Sequence, residues 1–271
     1  MQLHALNQDE LDPQIRNFYC RSLDVLLESK IPFLIGGAYA FERYTGIARH
    51  TKDLDLFARP KDCPRILEVL SAKNGCSTEI SAPHWLAKAF CGENFIDIIF
   101  NSANALSEVD DLWFEHSVRE EVLGISVQIC PPEEIILTKA FIMARDRYDG
   151  ADIAHLIHAC SETLNWPHLL HRFDQHWRVL FSHLILFGFI YPGERERIPS
   201  WVMEELSQRL QQEMNSSPST EKVCQGTVLS PLQYQVDLEE WGYQDVRLRT
   251  GNMTAKEIFK WNNHLTNGEL E

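Results

Sequence analysis

Pro32–Phe57 reads PFLIGGAYAFERYTGIARHTKDLDLF, a pattern of strand, tight turn, helix, loop and strand. The apolar run Pro32-Phe33-Leu34-Ile35 predicts the first strand, which stops at Gly36-Gly37. With no Cβ, neither glycine resists a positive φ or keeps a ligand away from the backbone N–H groups. A helix is expected from Ala38 to Tyr44. The positive end of its dipole points at whatever the glycines hold, so the turn is a candidate phosphate seat. The second strand is expected over Leu54-Asp55-Leu56-Phe57-Ala58, with Asp53 and Asp55 two residues apart and both carboxylates on one face.

Two like charges on one face of an apolar strand repel each other and gain nothing from burial. A divalent cation removes that cost, and hard oxygen ligands of this kind suit Mg²⁺, which is commonly held by one or two carboxylates together with phosphates and water. Gly-Gly followed by Asp-x-Asp therefore implies metal-assisted nucleotidyl transfer. The structural alternative is an edge strand with two solvated aspartates beside an ordinary turn.

The surrounding composition is that of a soluble globular protein, with 44% hydrophobic and 24% charged residues in 271. That length suits one large domain or two ordinary ones. A formal net charge of −14 argues against a broad electrostatic grip on nucleic acid, which leaves a basic footprint. The seven cysteines, Cys20, Cys63, Cys76, Cys91, Cys130, Cys160 and Cys224, are scattered and form no C-x-x-C pair, so they read as reduced thiols of a cytoplasmic protein. The N-terminal MQLHALNQDELDP lacks the basic and apolar regions of a secretory signal. Val179–Tyr191 is too short for a bilayer, which takes about 20 residues, and contains His183. It is expected to be a buried core helix, and no membrane partner is expected.

Along the chain, apolar residues recur at helical spacing from Asp12 to Glu28 and again from Asp62 to Lys73, the second helix crossing back over the sheet. A weak strand is expected at Ser77–Ile80 and a much clearer one at Phe95–Phe100, a continuous apolar run broken only by Asp97. The polar exception in a buried strand is the informative residue. If that strand lies beside the Asp-x-Asp strand, Asp97 completes a cluster of three carboxylates; otherwise it is an acid at an exposed strand end. Val118–Ile129 reads as a strand or hairpin turning at Gly124, and Pro131-Pro132 breaks the chain before a helix carrying Lys139 and Arg145.

Lys139 lies in the apolar run IILTKAFIMA, where a lysine is normally avoided, and Asp152 in GADIAHLI stands where a helix N-cap belongs. His155, His158 and Cys160 follow without a recognisable zinc spacing, so packed histidines are expected. Helices are expected over Trp166–Phe187 and Pro199–Met214, a polar linker over Asn215–Thr220, and a short helix over Thr254–His264 in a tail too apolar for disorder. The expected architecture is thus α/β (α+β), a mixed β-sheet core with flanking helices over residues 1–130. An α-helical domain follows over 131–214, with an extension packed on the body over 215–271.

The core stretch resembles the nucleotidyltransferase superfamily, the fold shared by the DNA polymerase β-like palm, antibiotic nucleotidyltransferases and abortive-infection type toxins. It is most similar to the toxin-like branch, whose R-x-T-x-D-h-D-h signature matches Arg49-x-Thr51-x-Asp53-Leu54-Asp55-Leu56. Many members have Gly-Ser at the turn; this chain has Gly36-Gly37, a form common in the toxin-like branch that leaves the phosphate contact to backbone N–H groups.

The resemblance implies Mg²⁺ or Mn²⁺ on Asp53, Asp55 and Asp97, with the triphosphate of an NTP held by Gly36, Gly37, Arg49 and Thr51. A second motif of that branch, K-x-x-A/h-x-x-R before an acidic element, implies Lys139 and Asp152 as further functional residues, with Arg145 and Asp149 as weaker candidates. The implied reaction moves a nucleoside monophosphate from an NTP to an RNA end, a protein or a small molecule and releases pyrophosphate. The alternative is a non-catalytic member that binds a nucleotide or a partner.

Overall fold

The computed structural model describes residues 11–49, 51, 53–251 and 253–267. The N-terminal reading, apart from its last three residues, lies outside them, as do His50 and Lys52 of the core stretch. The chain forms two compact units, Met1–Pro131 and Pro132–Glu271.

The first unit opens with α1 (Pro13–Glu28), whose N-cap Asp12 accepts from the Gln14 N–H at 2.7 Å. Its apolar stripe buries Phe18, Tyr19, Leu23 and Leu26. Next come β1 (Leu34–Ile35), α2 (Gly37–Thr45), β2 (Leu54–Phe57), α3 (Cys63–Asn74), β3 (Ser77–Ala82), β4 (Leu86–Cys91) and β5 (Asn94–Ile99). The unit closes with α4 (Asp111–Glu115), β6 (Val118–Val122) and β7 (Ile125–Ile129). The β6–β7 turn places Leu123 and Gly124 at φ 55° and 85°, the left-handed pair that matches the twist of a tight hairpin.

Among the described residues these strands form a seven-stranded sheet in the order β3-β4-β5-β2-β1-β7-β6. β2 runs parallel to β5 and β1 parallel to β7, while the other neighbours are antiparallel. The expected mixed sheet with flanking helices is what forms. Two strand limits differ from expectation. β1 is only two residues long, and Asp53 stands just before β2 rather than in it. β4 was not expected at all, because Leu-Ala-Lys-Ala-Phe-Cys carries little β-propensity.

The second unit begins with α5 (Pro132–Ala140), α6 (Gly150–Cys160) and α7 (Trp166–Phe173). Glu134 on α5 is fully buried, and its carboxylate is held by His168 at 2.9 Å and Arg172 at 3.0 Å, both on α7. A buried charge of this kind is tolerable only because it is paired. The helix expected over Trp166–Phe187 is broken: a short 3₁₀ turn, Asp174–His176, separates α7 from α8 (Trp177–Ile190), with Asp174 at φ 35°.

Nor is α8 buried all round. Leu180, Leu184 and Phe187 are in the core, but Phe189 is 81% exposed and Ile185 53%. α9 (Ser200–Met214) follows, and beyond the linker come β8 (Val223–Cys224), α10 (Gln235–Glu239), β9 (Gln244–Asp245), α11 (Val246–Arg249) and α12 (Ala255–Asn267). Arg145 also departs from expectation, since α5 ends at Ala140 and leaves it in a loop. That loop is pinned by a bridge between Met143 and Tyr148. No helix among the described residues is long and apolar enough to cross a membrane.

Candidate active site

Parallel pairing of β2 with β5 sets Asp55 directly opposite Asp97, so the two side chains leave the same face of the sheet. Asp53, two residues ahead of Asp55, joins them. Each of the three carboxylates offers an oxygen, and these atoms all lie within 4.8 Å of one another. Asp97 is 9% exposed, and the other two are half-buried. Burial pushes the Asp97 carboxyl above the usual range; Lys88 draws it part of the way back and the charge of Asp53 raises it again. Three oxygen donors converging at this spacing fit a hard divalent cation, which offsets their repulsion.

The glycine turn is built around one of these acids. Gly36 N–H donates to the Asp55 carbonyl at 3.0 Å, and Gly37 has φ +54°. A Cβ on Gly37 would lie 1.7 Å from Asp55 Oδ2, so only glycine lets this carboxylate rest against the turn. A Cβ on Gly36 would instead meet the Phe57 ring at 2.2 Å. α2 starts here with no side-chain cap, so its N-terminal N–H groups and dipole are presented beside the acids.

Thr51 donates its hydroxyl to Asp53 Oδ1 and orients that carboxylate. The Arg49 guanidinium lies 4.3 Å over the Phe41 ring, and the residue is exposed. Three more side chains belong to the site, none of them singled out from sequence. Lys88 on β4 places its ammonium 2.9 Å from Asp97 Oδ1 and 4.2 Å over the Phe95 ring. Tyr19 and Tyr39 are buried. Burial, then Tyr39, then Asp53, Asp55 and Asp97 push the Tyr19 hydroxyl up, while burial, Glu42 and Asp53 push Tyr39 up to about 12. Both hydroxyls therefore stay protonated near neutral pH. In sequence the tyrosines were indistinguishable from core positions of amphipathic helices.

The family described as "Nucleotidyl transferase of unknown function (DUF2204)" matches residues 16–166, more than half of the chain. The chain belongs to this family. It is a nucleotidyltransferase, and the matched span holds the glycine turn and all three acids. The toxin-like branch suggested by the Arg49–Leu56 signature is not what the match identifies.

No curated protein matches the nucleotidyltransferase chain. Among solved structures, the antibiotic-resistance factor ANT(2'')-Ia is similar at 18% identity over 64% of this chain and 98% of its own, with a TM-score of 0.45. The lincosamide antibiotic adenylyltransferase LnuA is 16% identical over 54% of this chain and 96% of its own, TM-score 0.39. An antigenic nucleotidyltransferase-like protein from Paracoccidioides brasiliensis is 15% identical over 64% of this chain and 93% of its own, TM-score 0.36. At such identities none of these structures bears on the acceptor of this nucleotidyltransferase.

Lys139 and Asp152 fall in the second unit of the nucleotidyltransferase, where they meet. The Lys139 ammonium is 2.7 Å from carboxylate oxygens of both Asp149 and Asp152, and its side chain is 17% exposed. It is thus neither a solvated charge nor a lone one. Asp152 is not the N-cap of α6: the cap position belongs to Asp149, which makes no side-chain cap bond. Burial raises the Asp149 carboxyl, but hydrogen bonds from Arg147 and the pull of Lys139 outweigh it and hold it below its ordinary value. His155 and His158, expected to be packed, are only half-buried, with His158 3.1 Å from Glu194. His168 and His183 are the packed ones, the latter against the Ala140 carbonyl at 3.0 Å, and among the described residues the three acids are the only grouping placed to hold a metal.

Proposed function

We propose that the protein transfers a nucleoside monophosphate from an NTP to an acceptor hydroxyl or phosphate, with Asp53 and Asp55 holding Mg²⁺ or Mn²⁺ and Asp97 binding the metal nearest the acceptor. The observation that carries this reading is the convergence of three carboxylates within 4.8 Å beside a glycine that only a missing Cβ allows. When bound, the metal neutralises phosphate charge and templates an in-line displacement. The chain's own residues do the rest. Gly37 and the α2 N-terminus seat the triphosphate, the N–H of Gly36 being taken by the Asp55 carbonyl; Arg49 balances its charge, and Thr51 keeps Asp53 turned inward. Asp97 receives the acceptor proton as the new P–O bond forms and the bond to pyrophosphate breaks.

Lys139, Asp149 and Asp152 are proposed to work as one ion-pair cluster, in which any triphosphate would compete with two carboxylates for the ammonium. Kinship with the toxin-like branch stays a proposal resting on the Arg49–Leu56 signature, and the acceptor is drawn from RNA ends, proteins and small molecules. The missing turn serine would also suit a non-catalytic member that binds without turnover. Steric exclusion at Gly37 accounts for that absence, because a serine Cβ would occupy the same space as Asp55 Oδ2.

The test is pyrophosphate release from each NTP with Mg²⁺ or Mn²⁺, using a cell lysate as acceptor source and comparing the intact chain with Asp53→Asn. A loss of at least about 100-fold is expected, since the variant removes a ligand charge needed in the transition state. Equal release by both would refute the assignment.

A further inference from the structure

The register of the sheet sets four charged residues in one row across four strands. Asp55 on β2 faces Asp97 on β5, Asp97 faces Lys88 on β4, and Lys88 faces Glu79 on β3. Directly paired residues project from the same face, close enough for their side chains to interact. Lys88 therefore has a carboxylate neighbour on each side, and it engages the inner one. Its ammonium sits on Asp97 at 2.9 Å, while the exposed Glu79 accepts from the Ser81 hydroxyl at 2.8 Å. Neither partner of the inner pair is well solvated, with side-chain exposures of 17% for Lys88 and 12% for Asp97.

An ammonium so placed occupies an oxygen of the carboxylate that the proposed reaction needs on the acceptor side. It also changes the charge of the site. Three carboxylates call for more than one divalent cation, whereas three carboxylates and one ammonium are neutralised by a single one. Lysine suits this role because it is a compact point charge on a flexible stem, able to leave one partner for another.

We propose that Lys88 is the exchangeable counter-ion of Asp97: it holds this carboxylate in the cluster until an acceptor-side divalent cation displaces it, and it then turns to Glu79. This rests on the metal-binding reading of Asp53, Asp55 and Asp97. Lys88 is a positioning residue here, since it acts on the metal and acceptor only through Asp97. A purely structural lysine would make a different prediction: removing it would loosen the site and weaken metal binding.

The experiment is Mn²⁺ binding to the full chain without nucleotide, followed by calorimetry and by the loss of free Mn²⁺ signal in electron paramagnetic resonance. Lys88→Met is expected to tighten Mn²⁺ binding by at least about tenfold, the scale expected from removing a competing charge in a partly buried site. Glu79→Gln is expected to weaken it about threefold in the intact background and to have no effect on Lys88→Met, because only the lysine uses Glu79. Lys88→Gln gives the same comparison should the methionine variant not fold.

Unchanged or weaker Mn²⁺ binding in the Lys88 variants, with binding by the intact chain still abolished by Asp53→Asn, overturns the role of Lys88 and leaves the metal site standing. Mn²⁺ binding indifferent to Asp53→Asn overturns the metal site itself, and the proposal with it.

Discussion

Replacing Gly37 with alanine tests the site through its backbone. The residue sits at φ +54°, where an L side chain costs roughly 1–2 kcal/mol. The larger effect is local: the new Cβ would lie 1.7 Å from Asp55 Oδ2, against about 3.3 Å for a close carbon–oxygen contact. The carboxylate must therefore retreat by about 1.6 Å or rotate away, the difference between those distances. Misplacement by about 1 Å costs on the order of 100-fold in rate, or about 2.7 kcal/mol of transition-state stabilisation. Stability should suffer less, because moving Asp55 outward also relieves repulsion within the acid cluster. Gly37→Ala is thus expected to lose at least about 100-fold in kcat/KM for pyrophosphate release while melting only a few degrees lower. Gly36→Ala is the contrast. Its φ of −122° is open to any residue, and its Cβ would strike the Phe57 ring, itself stacked on Trp113 at 5.2 Å, so overpacking of about 1–3 kcal/mol should appear mainly as a lower melting temperature. Near-normal turnover and Mn²⁺ binding in Gly37→Ala would refute the view that the turn exists to admit Asp55.

Two further outcomes concern the second unit. Lys139→Ala leaves Asp149 and Asp152 buried without their shared ammonium and is expected to destabilise by about 3–5 kcal/mol in denaturant titration; an unchanged midpoint would show that the cluster does not hold α5 to α6. Stability should also fall with acid in two stages. Burial holds His183 and His176 below their ordinary value, only partly offset by the Ala140 carbonyl and by Asp174 respectively, so the unfolded state binds more protons and stability drops as pH falls below about 6.5. Asp149 and Asp245, for which burial is outweighed by Arg147 with Lys139 and by Arg247 respectively, contribute above about pH 4 and lose that contribution as pH falls further. A flat denaturation midpoint between pH 7.5 and 5.5 would contradict the buried neutral histidines.

What could be read from the chain depended on how local the signal was. The glycine pair and the Asp53/Asp55 spacing are each contained in a few residues, and the apolar strand interrupted by Asp97 marks that acid as an exception without saying what it faces. The break at Asp174 was not legible, because apolar residues continue at helical spacing on both sides of it and only the backbone turn at φ 35° separates α7 from α8. The exposed face of α8 was hidden for a related reason: uniform hydrophobicity predicts a helix but does not say which side is covered.

Lys88 marks the boundary between the two kinds of information. A sequence shows one lysine in an alanine-rich segment; it becomes part of the site only because β4 pairs with β5 in a register that sets position 88 against position 97. Asp97 depends on the same kind of fact, since nothing local joins it to Asp55 across the forty-odd residues occupied by α3 and the β3–β4 hairpin. The crossover brings β5 back beside β2 and parallel to it, and that alone turns two acids and a third into a cluster. Had the register slipped by one residue, Asp97 and Lys88 would have moved to the opposite face together. The alternation of apolar residues around Asp97, with Ile96 and Ile98 fully buried, is what fixes the register, so the core residues of β5 specify the chemistry of the residue between them.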